Sequence, residues 1–517
     1  MGPGKVWRRP EVGLLLALGV LAACVLAELI AILRLNGGHF NYTIDDPYIH
    51  LALAERIRGG HYGINPGEPA APSSTILWPF LIAPFAGSGI VEYLPFLIGI
   101  AAISATTVVY YKIVAKSLFA GPSANPFLIS VFVLLLALAT NLVGLPFTGM
   151  EHSIQVFLVA VVVLGLIREG STGKATPWLL TAIVLAPSIR YESLAVSLGA
   201  LVYLFVRGHR RAAILGSVAT VLPLALFSVF LLHQGLGPLP TSVLQKAPVF
   251  AANQHAGILS GLRTALRDPT GALLLVAGVW AVSLLAFSSL PAPEKALAGC
   301  LALAISLHAA LGGYGAYHRW ELYIVSFVLL VLLYLERGPI SAVIARSPAP
   351  LVAAVGALWC VAVGSRYLFG LITIPVAANN IYEQQFQMHR FAIEYERKAV
   401  AVNDLGYVSF GNPNYVLDLI GLGSHVPVGQ DSLSTWVDRP VAEHGIETAM
   451  LYEKCFADVP RAWRRVGVLH LSRPKITAAW ESVSFFATSE EAYPRVRQRV
   501  AAFQATLPPR VRFEFGE

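Results

Sequence analysis

Two kinds of residue in this chain are of types and in places that suit chemistry. The first is an acidic doublet, Asp45-Asp46, in the stretch Asn41-Tyr42-Thr43-Ile44-Asp45-Asp46-Pro47-Tyr48-Ile49-His50. The second is a set of cations spread over three later segments: Arg190, Lys246 and the neighbours His318 and Arg319. A fixed carboxylate accepts a proton, and general-base help of that kind is worth roughly 10²–10⁴-fold. Cations stabilise negative charge as it develops. Arg offers a fork to phosphate oxygens, and Lys and His⁺ offer point charges. Asp45 is the expected base. Asp46 reads as a helix cap, with Pro47 at the first helical position and Gly59-Gly60 closing the run. The alternative for Asp45 is a structural salt bridge to Arg190 or Arg319. Tyr48, Glu151 and Glu192 stand in or beside these clusters and are candidate substrate contacts.

These residues must be carried by membrane helices. Of 517 residues 56% are hydrophobic and only 13% charged, and the mean hydropathy is +0.64. Soluble chains carry about a quarter charged residues. Apolar runs of the roughly 20 residues that a spanning helix needs recur along the chain. The net charge of +7 sits in short loops between those runs, as in the positive-inside pattern, and gives no sign of nucleic-acid binding. Cys24, Cys300, Cys360 and Cys455 form no disulfide framework, and no His or Cys spacing suggests zinc. Two adjacent aspartates leave a divalent cation possible but do not require one.

About eleven crossings satisfy the loop charges. They are Val12 to Leu35, Val91 to Tyr111, Phe127 to Phe147, Ile154 to Ile167, the broken pair Trp178 to Pro187 and Leu194 to Val206, Ile214 to Leu232, Leu273 to Phe287, Ala296 to Leu311, Tyr323 to Leu335, and Leu351 to Pro375. Thr75 to Gly87, broken by Pro79 and Pro84, is read as re-entrant or interfacial. The run after Pro47 is read as an amphipathic helix on the bilayer surface, with Ile49, Leu53 and Ile57 on one face. Lys5, Arg8 and Arg9 place the N-terminus in the cytoplasm. The doublet, Glu151, Arg190-Tyr191-Glu192, Lys246 and Tyr317-His318-Arg319 then fall outside together, and clustered polar groups on one side of a bundle point to a site. From residue 376 the composition turns polar and strands alternate with helices, as in a small α/β domain. The expected architecture is a polytopic helical module over 1–375, with surface helices in the first outer loop, and an extracytoplasmic α/β domain over 376–517.

An outer-face site has no access to nucleotide sugars, so a transferred group must arrive activated on a lipid. The motifs agree with that expectation. Asp45-Asp46-Pro47-Tyr48-Ile49 resembles the Asp-Asp-Ala-Tyr-Ile signature of lipid-linked-sugar glycosyltransferases of the GT-C superfamily. The stretch Gly63 to Trp78 is similar to the Asn-Pro-Gly-Glu…Thr-Ser-Pro-Leu-Trp segment that follows it there. Gly149-Met150-Glu151 matches a Gly-Met-Glu motif, and Arg190-Tyr191-Glu192 stands where many members read Arg-Pro-Asp. Gly237-Pro238-Leu239-Pro240…Lys246 resembles Pro-Leu-Pro-Asn-Thr…Ala-Lys. Asn403-Asp404-Leu405-Gly406…Leu417-Asp418-Leu419-Ile420-Gly421-Leu422 is similar to the opening of their soluble domain. The nearest branch is terminal-arabinofuranosyltransferase-like, with protein mannosyltransferases and aminoarabinose transferases more distant.

The resemblance implies an inverting transferase of the inner (plasma) membrane. Its donor would be a polyprenyl-phosphate sugar, and its acceptor a hydroxyl of a cell-envelope glycan, lipid or protein, with Asp45 and Asp46 catalytic. Departures at Pro47, Tyr191 and Glu192 leave the sugar unnamed. The residues alone also admit a lipid-linked-glycan flippase, because a broken helix lining a polar cavity suits transport. A non-catalytic protein that holds envelope glycan through its tail is the third reading.

Overall fold

The computed structural model describes residues 11–120, 125–246, 257–315, 317, 319–426 and 432–516. Each of the eleven apolar segments contains a helix, as backbone amides without water require, but Phe127 to Phe147 is helical only to Ala139 and then passes through turns into the short 3₁₀ piece Pro146–Thr148. Among the described residues seven helices are long and apolar enough to cross a bilayer: Glu11–Leu35, Leu94–Leu118, His152–Thr172, Arg210–His233, Pro269–Phe287, Ala292–Leu311, and the one that begins at Ala349. Leu322–Leu335 and Arg337–Arg346, bent by 69°, make an eighth if taken as one. Pro126–Ala139, Pro177–Ile189 and Tyr191–Val206 are shorter. The chain is an integral membrane protein with a small α/β domain at its C-terminal end.

Two compact units are present. The first holds 1–27, 96–227 and 245–372; the second holds 28–95, 228–244 and 373–517. In the first unit the broken pair is explained by local chemistry. Pro187 removes one amide from the ladder of Pro177–Ile189 and leaves Ile183 O to another donor. The helix ends at Arg190, whose N still donates to Ala186 O at 3.0 Å but whose backbone is extended, before the chain turns back into helix at Leu194. Ser197 Oγ donates to Ile183 O at 2.7 Å and ties the halves together. Asp268 caps Pro269–Phe287 by accepting from Thr270 N at 2.8 Å, and it also takes Arg366 Nη1 at 2.8 Å. A membrane-embedded arginine is thereby neutralised.

The second unit contains one six-stranded sheet: β1 (Val400–Val402), β2 (Val416–Asp418), β3 (Thr448–Leu451), β4 (Arg464–His470), β5 (Ser482–Ala487) and β6 (Arg512–Phe515), in the order β2-β1-β3-β5-β4-β6. β2, β1 and β3 run parallel; the remaining pairs are antiparallel. β1, β2 and β3 are wholly buried. Leu417, Trp463 and Phe486 belong to one core cluster. Phe391 packs edge-on to Phe485 and Phe503. The helix Ala349–Glu383 runs without interruption past the compositional boundary at 375, ending where Gln384 leaves helical geometry.

The first polar loop belongs to this second unit, held by side-chain bonds rather than by regular structure. Asn65 donates to Val416 O and accepts from Val416 N, both at 2.9 Å, and so extends the ladder at the edge of β2. Glu68 accepts from His425 N at 2.7 Å and from Tyr415 OH at 2.8 Å. Thr75 to Gly87 forms only the short pieces Trp78–Ile82 and Ala83–Phe85, as its two prolines require.

Two expectations about the next element are corrected. The helix spans Asp46–Arg58, but Pro47 through Ala54 are all buried, so its apolar face is covered by protein and not by lipid as the amphipathic spacing suggests. Its apolar residues occupy all sides of the first two turns, and Gly406–Ser409 and Trp78–Ile82 are among the elements that pack against it. Asp46 is the first helical residue, not the cap; Asp45 holds the cap position and makes no side-chain cap bond.

Candidate active site

Asp45 forgoes the cap because its carboxylate is engaged elsewhere. Oδ2 accepts from Gly406 N at 2.7 Å and Oδ1 from Tyr407 N at 2.8 Å. The two partners lie 361 and 362 positions along the chain, at the turn that follows β1. Gly406 is required by space: a Cβ there would lie 2.3 Å from Asp45 O and 2.4 Å from Asp45 Oδ2. Tyr407 stacks on Tyr48, ring centroids 3.7 Å apart, and its hydroxyl donates to Glu92 Oε1 at 3.0 Å. Tyr48 itself is buried and receives Tyr42 N at 3.3 Å through its hydroxyl oxygen. Backbone amides on both oxygens and an aromatic pair beside them fix Asp45 in one orientation, leaving further lone pairs on each oxygen for a proton.

The same turn brings in Asp404. Its carboxyl lies within hydrogen-bonding reach of Asp45, and Asp46 is close enough to act on both electrostatically. Gln385 Nε2 donates to Asp404 Oδ2 at 2.6 Å, and Tyr452 OH approaches the same oxygen at 3.1 Å. Tyr452 is also bonded to Gln384 Oε1 at 2.8 Å. Burial raises the pKa of Asp45 well above the ordinary carboxylate range, the Asp404 charge raises it further, and the Tyr407 and Gly406 amides pull the other way. Burial raises Asp404 as well, against donors from Gln385 and Tyr452. Two carboxyls this close do not ionise independently, so a proton on one bears on the proton affinity of the other. The two amides fix Asp45, while burial and the neighbouring carboxyl oppose its ionisation. Asp45 is 8% exposed, whereas Asp46 and Asp404 are only half-buried and form the open side of the cluster.

Sequence reasoning missed Asp404 as a site residue. Its one signal was position: an Asp between the first strand of the polar domain and a glycine, Asn403-Asp404-Leu405-Gly406.

The first unit holds a second charged cluster. Arg190 donates from Nε and Nη2 to the two oxygens of Glu192, at 3.2 and 2.6 Å, and from Nη1 to Glu151 Oε1 at 2.5 Å. Glu151 is fully buried, and Gly149 turns the chain into it with a left-handed φ of 64°. Arg319 is buried in the turn before Leu322–Leu335. The structure thus gathers Asp45, Asp46 and Tyr48 with Asp404 in one unit, and Glu151, Arg190 and Glu192 in the other. The side chain of Lys246, at the end of Thr241–Lys246, and the whole of His318 lie outside the described residues. Among the described residues no group of three or more His, Cys, Asp or Glu is arranged to hold a metal ion.

The space at Gly406 gives a direct test of the Asp45 geometry. Gly406→Ala must push Asp45 off its two amides, because the obstructing atoms are the Asp45 backbone oxygen and the bonded carboxylate itself. The variant is expected to lose most activity while the isolated sheet signature in circular dichroism stays. Unchanged activity would show that the Asp45 position is not needed.

A family model described as a domain of unknown function, DUF8728, matches residues 379–498. No curated protein sequence matches. Among solved structures the chain is similar to the apo oligosaccharyltransferase of Archaeoglobus fulgidus, at 12% identity over 90% of this chain and 76% of that one, TM-score 0.46. It is similar also to ArnT from Cupriavidus metallidurans, apo, at 12% identity over 94% and 99%, TM-score 0.45. The same ArnT bound to undecaprenyl phosphate matches at 13% identity over 92% and 98%, TM-score 0.44.

Proposed function

We propose that the chain is an inverting glycosyltransferase that moves a sugar from a polyprenyl-phosphate donor to a hydroxyl of a cell-envelope glycan, lipid or protein, on the outer face of the plasma membrane. The observation that carries this reading is the paired Asp45 and Asp404 carboxyls, fixed by the Gly406 and Tyr407 amides and open on one side. The motif order along the chain, from Asp45-Asp46 through Asn403-Asp404, supports it independently. The acceptor oxygen forms a bond to the anomeric carbon as the bond from that carbon to the phosphate oxygen breaks. The hydroxyl proton passes to Asp45, and Asp404 and Asp46 set its proton affinity. Arg190, Lys246, Arg319 and His318 are the proposed contacts of the departing phosphate; Tyr48, Glu151 and Glu192 are proposed to position substrate. In this arrangement the N-terminus is cytoplasmic, 1–375 is the catalytic membrane module, and 376–517 lies outside the membrane.

The test uses purified full-length protein in lipid nanodiscs with a polyprenyl-phosphate sugar and an envelope glycan acceptor. A new glycosidic bond of inverted anomeric configuration, formed without any nucleotide sugar, is expected by mass spectrometry and NMR. Movement of the lipid-linked sugar between leaflets with no new bond would instead establish the transport reading.

A further inference from the structure

A second site stands in the C-terminal domain, apart from the carboxyl pair. The end of β4, the loop behind it and the segment leading into β6 surround an open cleft of about 690 Å³, lined by His470, Ser472, Arg473, Arg510, Arg512 and Glu514 among others. Register explains the clustering. Arg512 pairs with His470 across the β6–β4 ladder, and Glu514 points to the same side of the edge strand as Arg512. Pro508 and Pro509 turn the chain so that Arg510 precedes the strand on that side.

The loop with Arg473 is held in place, not left to wander. Ser472 N and Oγ donate to the two oxygens of Glu383 at 2.7 and 2.6 Å, and Asn380 bonds Ile476 N at 2.6 Å and Pro474 O at 3.3 Å. Several other arginines of this domain have carboxylate partners: Arg499 with Glu396 and Glu447, Arg464 with Glu490, Arg439 with Glu443. Around the cleft three arginines stand against the lining carboxylate Glu514, 3.5 Å from His470 Nε2, and the Glu383 carboxylate that holds Ser472 from behind. The guanidinium groups still outnumber the carboxylates in a concave, largely polar space. Like charges gathered this way repel unless an anion joins them, and guanidinium forks match phosphate oxygens.

We propose that this cleft is a binding site for a phosphate-class anion, bridged by Arg473, Arg510 and Arg512. The chemistry is shared by a phospholipid headgroup and by a soluble or glycan-borne phosphate, and the inference does not rest on the transferase reading. Full-length protein in neutral detergent is titrated with inorganic pyrophosphate, followed by ³¹P NMR, and separately placed in nanodiscs of phosphatidylcholine with or without phosphatidylglycerol. Saturable pyrophosphate binding weakened at least tenfold in the Arg510→Gln/Arg512→Gln double variant is expected for a soluble phosphate. Protection of the 471–473 and 510–514 amides from hydrogen exchange only in anionic discs, lost in the variant, assigns the headgroup. The variant must keep the parent's unfolding temperature, and Asp45→Asn protein must bind as the parent does. Binding in neither arm, or equal binding by parent and double variant, overturns the proposal.

Discussion

Asp45→Asn is expected to lower sugar transfer by about 10²–10⁴-fold, the range for loss of a positioned general base, with the protein still folded. The fold should survive for an electrostatic reason. Burial and Asp404 raise the Asp45 pKa, so between the ordinary carboxylate range and that raised value the folded chain holds a proton that the unfolded chain has released. Stability therefore falls as pH rises through this window, and the cost is complete above it. Asparagine removes that cost but turns a donor toward one of the two amides, a loss of about 1 kcal/mol, so the unfolding temperature near neutral pH should move little. The rate behaves in the opposite sense. A base must be ionised, so transfer by the parent should fall as pH is lowered through the raised pKa, giving an acid limb above the usual carboxylate range. Asp404→Asn removes the neighbouring charge and should carry that limb to lower pH without abolishing turnover. A limb that stays where it was in Asp404→Asn would sink the coupled-pair reading, and full activity in Asp45→Asn would sink the base itself.

The membrane helices were legible because their physics is one-dimensional. A run of apolar residues near the bilayer thickness has one stable solution, and each run from Val12 onward holds a helix, though the one from Phe127 stops at Ala139. That strands alternate with helices beyond residue 376 was legible from the change in composition. β6 was not: Arg512-Phe513-Glu514-Phe515 is four residues at the end of the chain, and only pairing with β4 makes it a strand. The helix at Asp46–Arg58 was placed correctly within a residue, yet its surroundings were misread. Amphipathic spacing of Ile49, Leu53 and Ile57 says which face is apolar, not whether a distant segment covers the other. Here the covering segment comes from beyond residue 400, and the same closure supplies Asp404, Gly406 and Tyr407. Each half of the carboxyl pair is visible in the sequence. Their meeting is a long-range tertiary fact, with no periodicity or spacing to encode it.

The second large effect belongs to the other unit. Arg190→Met is expected to cost about 3–5 kcal/mol of stability, the usual penalty for stripping the partner from a buried charge. Glu151 has no exposed surface and Arg190 is 3% exposed, so the orphaned carboxylate would have no access to water. Removing the charge with its partner should be far milder: Arg190→Met with Glu151→Leu leaves a shape-filling apolar pair, and most of the loss should return. Thermal unfolding in nanodiscs, read by tryptophan fluorescence, measures the cycle, and equal losses in the single and double variants would show that the ion pair is not the source. Glu192 separates structure from function in the same cluster. It is a quarter exposed and occupies two donors of the Arg190 fork. Glu192→Gln weakens that hold without deleting a buried partner, so the fork becomes more available to an incoming phosphate. If Arg190 receives the donor, KM for the polyprenyl-phosphate sugar should fall several-fold in Glu192→Gln while the unfolding temperature stays close to the parent's. A KM that rises instead would mean that Glu192 orients the arginine for the donor rather than competing with it, and a KM that does not move would take Arg190 out of the phosphate site.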